Sequence, residues 1–181
     1  MLQLVNFSFY ICVMNAESIL SKVSKALNDE NLEAIVIGNA GGALLGSPVT
    51  TLDIDFYFRK TPTNLLKLKR VAKRLNATIF RPFYPLSGLF RVIGEDDGVY
   101  LDFMSEAHGI KSFASLRSRA KEFVIGKNKL LVASLEDIIK SKEASKRDRD
   151  NASLKILKAT LKRQKVRTIS QSKAKKLSKK S

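Results

Sequence analysis

The feature that most restricts the fold of this chain is a wholly apolar segment, Ala34 to Ile37, closed by Gly38. Short apolar runs of this kind are typical of strands buried on both faces, and such strands occur in sheets that helices cover on either side. The segment 52–58 follows, and it alternates apolar and polar residues, which predicts a strand with one buried face. The chain is therefore expected to form a sheet with helices packed against it.

Helix and strand patterns alternate along the rest of the chain, and antiparallel hairpins are indicated in its second half. An Asp-Gly step at Asp97-Gly98 is a hairpin signal between two of the strand patterns. The predicted helices are 15–27 with Asn15 as its N-cap, 61–75, 113–121 and, in one or two pieces, 134–161; further strands are 78–83, 89–93, 99–104, 123–125 and 129–132. The expected fold class is α/β (α+β), with a mixed β-sheet and packed helices.

The expected domain is 1–159, which includes residues 1–13 as a possible extension and excludes a basic C-terminal segment. Residues 1–13 are largely apolar but lack the features of a signal peptide and are too short for a membrane-spanning helix. They are either a first strand or an extension upstream of a true start at Met14. The lone Cys12 forms no internal disulfide, which favours a reducing compartment such as the cytoplasm.

Residues 160–181 are strongly basic. The whole chain has 33 Lys and Arg against 17 Asp and Glu, a net charge of +16, and nine of those basic residues lie in this segment without an acid. Because large apolar residues are scarce here, the segment is expected to be mostly disordered. It is either an arm that binds RNA or another polyanion, or a terminus that keeps the protein in solution.

Two neighbouring acidic residues, Asp53 and Asp55, are the sharpest chemical feature. Strand alternation places both carboxylates on one face, about 7 Å apart at Cα. The residues expected on the opposite, core-facing side are Leu52, Ile54, Phe56 and Phe58. Asp102 lies in a similar strand, and if the two strands are neighbours, three carboxylates converge, enough for divalent cations such as Mg²⁺. The alternative is a solvated acidic strand face.

A glycine-rich stretch, Gly38 to Gly46, connects the apolar strand to this acidic one. Such a turn gives a phosphate room to approach the backbone. It matches neither the dinucleotide fingerprint nor the P-loop, and taken by itself it fits a tight connection between a strand and a helix better than a phosphate site.

The block from Ile37 to Asp55 resembles the signature of DNA polymerase β-type nucleotidyltransferases. It is similar in particular to a minimal bacterial and archaeal group that includes abortive-infection toxins. The positions that match are Gly38, Gly46, Thr51, Asp53 and Asp55, with Asp102 as the family's third aspartate. The segment Ser134 to Asp150 resembles the C-terminal helix pair of the same group, with Lys142, Arg147, Arg149 and Asp150 near the mouth of the active site.

The resemblance implies a nucleotidyltransferase fold and transfer of a nucleoside monophosphate from an NTP to an acceptor hydroxyl, with Mg²⁺ or Mn²⁺ as cofactor. It implies Asp53, Asp55 and Asp102 as catalytic metal ligands, and Gly38, Asn39, Thr51, Lys142 and Arg147 as the nucleotide-binding residues. RNA, especially tRNA, is the favoured acceptor because of the basic segment, and a protein side chain or small molecule stays open. The toxin group also implies an antitoxin or another protein as partner. The rest of the sequence contains no segment that indicates a membrane protein.

Three departures from the family pattern keep a second interpretation open. Asn39 replaces a small residue, Val49 replaces an Arg, and Ser153 stands where an Asp is frequent. A bulkier residue where backbone approaches a ligand weakens nucleotide binding. The alternative function is therefore a catalytically degenerate module that keeps the fold and binds RNA or a partner protein.

Overall fold

The computed structural model describes residues 19–80, 88–94 and 98–177, with side chains up to residue 172. Within these ranges the strands are β1 (Ala34–Val36), β2 (Ile54–Phe58), β3 (Thr78–Phe80), β4 (Leu89–Gly94), β5 (Val99–Met104), β6 (Lys121–Ile125) and β7 (Asn128–Val132). The helices are α1 (19–29), α2 (Gly38–Leu44), α3 (Pro62–Arg74), α4 (Phe113–Arg117), α5 (Leu135–Ser145) and α6 (Asn151–Leu177), with a 3₁₀ turn at Asp148–Asp150.

The strands form one mixed sheet in the order β3-β4-β5-β2-β1-β7-β6. The pairs β1–β7 and β2–β5 are parallel, and the other neighbours are antiparallel. Both predicted hairpins, β4–β5 and β6–β7, are present. This arrangement confirms the mixed sheet with packed helices that the sequence predicts.

Helices cover both faces of the sheet at β1, which explains the apolar character of this strand. One face packs on α1 and α3 around Phe56 and Phe103, whose rings stack with centroids 4.7 Å apart. The other face packs on α4, α5 and the first part of α6 around Tyr57 and Leu157. Because neighbouring strand residues alternate between faces, Asp55 points to the side of α5, opposite Phe56.

The first residue of the predicted strand 52–58 does not follow the expected alternation of buried and exposed side chains. Leu52 is expected in the core, and this prediction is wrong, because the side chain is 97% exposed. The strand begins only at Ile54, so Leu52 lies in the preceding loop and the alternation of faces does not reach it.

Several boundaries also differ from the sequence prediction. The helix predicted at 113–121 ends at Arg117, and β6 begins at Lys121, two residues before the predicted strand. Pairing with β7 extends β6 to Lys121, which lies opposite Val132. The predictions for residues 1–18 and for 81–83 lie outside the described residues.

Helix α6 differs from the disorder expected at 160–181, because residues 160–177 continue it. Its first part is anchored by Leu157 in the core and by Gln164, whose side-chain amide donates to Leu45 O at 2.7 Å. The following residues, 166–172, are all exposed. Lys, Arg, Gln and Ala favour helix and the segment contains neither Gly nor Pro, so the helix extends beyond its anchor. Within the described ranges, no helix has both the length and the apolarity to cross a membrane.

A cavity-forming substitution tests whether the first part of α6 belongs to the folded core. We expect Leu157→Ala to lower the free energy of unfolding by about 2 to 5 kcal/mol, because it empties a fully buried site. Leu66→Ala is the matched control on exposed α3 surface, with an expected change of about 0.5 kcal/mol or less. Urea unfolding measures both, and equal effects would contradict the packing described for α6.

Candidate active site

Three carboxylates converge where β2 begins. The parallel register of β2 and β5 places Asp55 directly beside Asp102, and Asp53 lies in the loop just before β2. Carboxylate oxygens of all three residues lie within 4.8 Å of one another. The two strands are therefore neighbours, and the three carboxylates meet as the sequence analysis anticipated.

Gly38 leaves room for one of these carboxylates. Its φ is +64°, a left-handed conformation that favours glycine. A Cβ at this position would overlap Oδ2 of Asp55. The glycine thus meets two requirements, the turn from β1 into α2 and the close approach of Asp55 to the backbone.

The electrostatics of the three carboxylates fit a bound cation. The pKa of Asp55 is raised from its ordinary 3.8 to about 7, chiefly by burial and then by the negative charges of Asp53 and Asp102. A divalent cation would remove this repulsion, and oxygen ligands of this kind are those that Mg²⁺ and Mn²⁺ prefer. The donor set therefore fits such an ion, held by Asp53, Asp55 and Asp102.

Arg91 is a site residue that the sequence analysis missed. Its guanidinium donates to both oxygens of Asp102, from Nε at 2.8 Å and from Nη2 at 2.7 Å. The antiparallel pairing of β4 with β5 places the two residues opposite each other. The hairpin signal contained this information, since counting three residues outward from the paired Gly94 and Val99 leads to Arg91 and Asp102.

Thr51 and Asn39 form the wall next to the carboxylates. The Thr51 hydroxyl donates to Asp53 Oδ1 at 2.9 Å, which orients that carboxylate. The Asn39 side-chain amide donates to Thr50 O at 3.1 Å. Its buried Oδ1 has no hydrogen-bond partner in the described part of the chain. Asn39 therefore offers an open acceptor at the wall of the site.

Basic residues lie on the opposite rim. Lys142 donates to Asp150 Oδ1 at 2.6 Å, and the Ser145 hydroxyl donates to Asp150 Oδ2 at 3.1 Å. Burial opposes ionisation of Asp150, but these hydrogen bonds outweigh it and lower the pKa of that carboxyl. Positive charge at Lys142 and Arg149 also favours ionisation of Asp55, so the rim is electrostatically coupled to the acidic centre.

All of these groups line one cleft of about 820 Å³. It contains every site residue that the sequence predicts: Gly38, Asn39, Thr51, Asp53, Asp55, Asp102, Lys142 and Arg147. Their individual roles remain predictions. Arg91, Arg149 and Asp150 complete the charged lining. An acidic centre with a basic rim is suited to a metal-bound polyphosphate.

The family of the chain follows from a match over almost its whole length. Residues 16–180 match the family described as nucleotidyl transferase of unknown function (DUF2204). The chain belongs to this family. It is therefore an enzyme of the nucleotidyltransferase class, and the predicted resemblance to nucleotidyltransferases is confirmed at this level.

Solved structures show the same fold at low sequence identity. The solution structure of the antibiotic-resistance factor ANT(2'')-Ia has a TM-score of 0.59 and 17% identity, covering 91% of this nucleotidyltransferase and 94% of that chain. The crystal structure of ANT(2'')-Ia with adenylyl-2''-tobramycin has a TM-score of 0.56 and 17% identity, with coverages of 90% and 98%. A putative nucleotidyltransferase from Thermotoga maritima has a TM-score of 0.52 and 18% identity, with coverages of 87% and 89%. A search of curated proteins gave no match.

The raised pKa of Asp55 makes the stability of this nucleotidyltransferase depend on pH. A carboxyl whose pKa is higher in the folded state stabilises the protein while it is protonated, and this contribution is lost as pH rises through the folded pKa. From about pH 4 to about pH 7, Asp55 should therefore lower the free energy of unfolding by at most about 1.4 kcal/mol per pH unit.

Asp55→Asn isolates this effect, because the asparagine side chain does not ionise. The free energy of unfolding of this variant, measured with urea at each pH, should depend less on pH than that of the wild type. Added Mn²⁺ should stabilise the wild type more at pH 7 than at pH 5, because it competes with the proton. Profiles of equal slope for the two proteins would contradict the electrostatics described for the site.

Proposed function

We propose that the protein transfers a nucleoside monophosphate from an NTP to a hydroxyl of RNA, with tRNA as the favoured acceptor, in a reaction that depends on Mg²⁺ or Mn²⁺. The observation that carries the proposal is the convergence of Asp53, Asp55 and Asp102 in a cleft with a basic rim. Aspartates in this number are sufficient to hold a pair of divalent ions. The family assignment supports nucleotidyl transfer in general.

In this proposal Asp53, Asp55 and Asp102 would hold two divalent ions. When bound, such ions would offset negative charge on the triphosphate and, as Lewis acids, would lower the pKa of the acceptor hydroxyl. Arg91 holds Asp102 in place through two hydrogen bonds, and Thr51 orients Asp53. The carboxylates are thus arranged by the protein before any ligand arrives.

In this proposal the remaining residues contact the phosphates of the NTP. Gly38, Asn39 and Thr51 bind the triphosphate, and Lys142 and Arg147 neutralise the charge that develops on the departing pyrophosphate. A carboxylate oxygen of Asp102 accepts the proton of the acceptor hydroxyl. The hydroxyl oxygen then forms a bond to the α-phosphorus as the bond to the bridging oxygen breaks, and pyrophosphate leaves.

Charge is the argument for RNA as the acceptor. Helix α6 contains nine Lys and Arg and no acid, and its exposed part extends beyond the core. Basic surfaces of this kind bind the nucleic-acid backbone by releasing counterions. The toxin-like subgroup, an antitoxin partner and a cytoplasmic location remain further proposals from the sequence.

Transfer of label tests the enzymatic proposal directly. Incubation of the protein with each labelled NTP, Mg²⁺ or Mn²⁺ and total RNA should give labelled RNA that disappears on chelation of the metal. Asp53→Asn should reduce the rate by more than about a hundredfold, since even outer residues of metal sites contribute factors of ten to a hundred. Asp29→Asn, on exposed α1 surface, is the matched control and should retain the wild-type rate.

Absence of metal-dependent transfer with any nucleotide would overturn the proposal. Binding of RNA without transfer would favour the degenerate module, for which Asn39 and Val49 are the sequence arguments.

A truncation tests the role of α6. Removal of residues 166–181 deletes six Lys and Arg while leaving Leu157 and Gln164 in place. The affinity for RNA should fall, and the slope of log K against log salt should decrease by up to about 0.7 for each RNA phosphate that the shortened helix no longer neutralises. Filter binding over a series of salt concentrations measures this slope, and an unchanged slope would show that the extension does not bind the backbone.

A further inference from the structure

The face of the sheet next to Asp102 continues beyond the catalytic carboxylates. Strand pairing places Asp55, Asp102, Arg91 and Phe80 side by side on β2, β5, β4 and β3. Residues directly opposite each other in neighbouring strands share a face. Phe80 therefore lies at the end of a row of side chains that begins at Asp55.

A second aromatic residue stands on the same face. Tyr100 precedes Asp102 by two residues on β5, so both side chains project to the same side. The intervening residue, Leu101, is buried in the core against α1 and α3, as is Val92 beside Arg91. The same alternation applies on β3, where Ile79 packs on that core and Phe80 points away from it.

These side chains are exposed although two of them are large and aromatic. Phe80 is 47% exposed, Tyr100 is 49% exposed, and the Arg91 side chain is 45% exposed. The core on this side of the sheet takes its residues mainly from β1, β2 and β7, beneath α4, α5 and α6. Over β3, β4 and β5, the described part of the chain leaves the face open at these three positions.

The geometry of phosphoryl transfer gives this open face a role. The attacking and leaving oxygens lie roughly in line with the phosphorus between them. If pyrophosphate leaves toward the basic rim at Lys142 and Arg147, the acceptor hydroxyl must approach from the other side of the carboxylates. That side is occupied by Asp102 and Arg91, and beyond them by Phe80 and Tyr100.

We propose that Phe80, Tyr100 and Arg91 form an acceptor platform on which unpaired bases at the reacting end of an RNA strand stack. The proposal rests on the proposed function, and it specifies how that RNA is bound. Aromatic rings and guanidinium planes on an open sheet are a common means of binding single-stranded RNA, and stacking of this kind tolerates any base.

The distances from Asp102 to the two aromatic residues suit the end of an RNA strand. Tyr100 lies about 7 Å along β5 from Asp102, and Phe80 lies about 10 Å away across two strands, from the usual strand dimensions. The terminal nucleotide and its neighbour can span these distances while the reacting hydroxyl remains at Asp102. The platform is therefore continuous with the catalytic centre.

Two measurements on the full chain test the platform. The first is binding of a fluorescein-labelled single-stranded RNA and of a blunt-ended duplex of the same sequence, by anisotropy. The second is the KM for the RNA acceptor and for the NTP in label transfer. The variants are Phe80→Ala, Phe80→Leu, Tyr100→Ala and Tyr100→Phe, with Val124→Ala as the control, an exposed side chain on the distant strand β6.

We expect each alanine variant, and also Phe80→Leu, to weaken single-stranded RNA binding and raise the KM for RNA by about tenfold, within the range for loss of one stacked base. Tyr100→Phe keeps the stacking ring and should weaken RNA binding less than Tyr100→Ala does, whereas Val124→Ala should match the wild type. The KM for NTP should not change in any variant. Duplex binding should be less sensitive to these substitutions, because its bases are already stacked.

The failures of the two proposals are distinguishable. Wild-type transfer to RNA with unchanged RNA binding in both alanine variants would overturn the platform and leave the proposed function standing. Rescue by Phe80→Leu would also overturn it, because leucine fills space but does not stack. A raised KM for NTP alone would assign the surface to the nucleotide base. If the wild type labels no RNA but labels a protein or a small molecule, both the RNA acceptor and the platform are wrong.

Discussion

The parallel pairing of β2 with β5 is the constraint on which the rest of the site depends. It places Asp55 beside Asp102, and the loop before β2 adds Asp53. Three carboxylates at this distance repel one another, and the raised pKa of Asp55 reflects burial together with that repulsion. The sheet tolerates the arrangement because its other face is a well-packed core, in which Phe56 and Phe103 stack directly behind the two aspartates. One face of these strands thus packs in the core and stabilises the fold, and the other face presents the carboxylates of the site.

Negative charge is concentrated at the centre of the cleft, although the molecule as a whole is positively charged. The net charge of +16 suggests a protein whose main property is affinity for polyanions. Yet the centre of the cleft is acidic, and basic groups surround it at Arg91, Lys142 and Arg149. In the function that we propose, the positive charge attracts the triphosphate and RNA, and a few negative residues carry out the reaction. In the same proposal the exposed part of α6 supplies charge for RNA, whereas its anchor requires only a few buried residues such as Leu157.

Local patterns were sufficient to predict the elements and most of the cleft, and contacts between distant elements account for what they missed. The run Ala34 to Ile37 and the alternation after Asp53 are local signals, so β1 and β2 were predictable. The alternation misplaces Leu52 because it does not show where a strand begins. The local pattern does not identify Arg91, because the hairpin register defines its partner. Low hydrophobicity does not predict the helix at residues 160–177, because it excludes a core but not a solvated helix.

The central claim is that Asp53, Asp55 and Asp102 share divalent metal while they bind a nucleotide. A crystal structure with Mn²⁺ and a non-hydrolysable NTP tests it most directly, because anomalous scattering locates the manganese independently of the protein. We expect manganese bonded to oxygens of all three aspartates, the ligand type that hard divalent ions prefer, with the triphosphate extending toward Lys142 and Arg147. Nucleotide bound elsewhere, or manganese peaks away from these carboxylates, would contradict it.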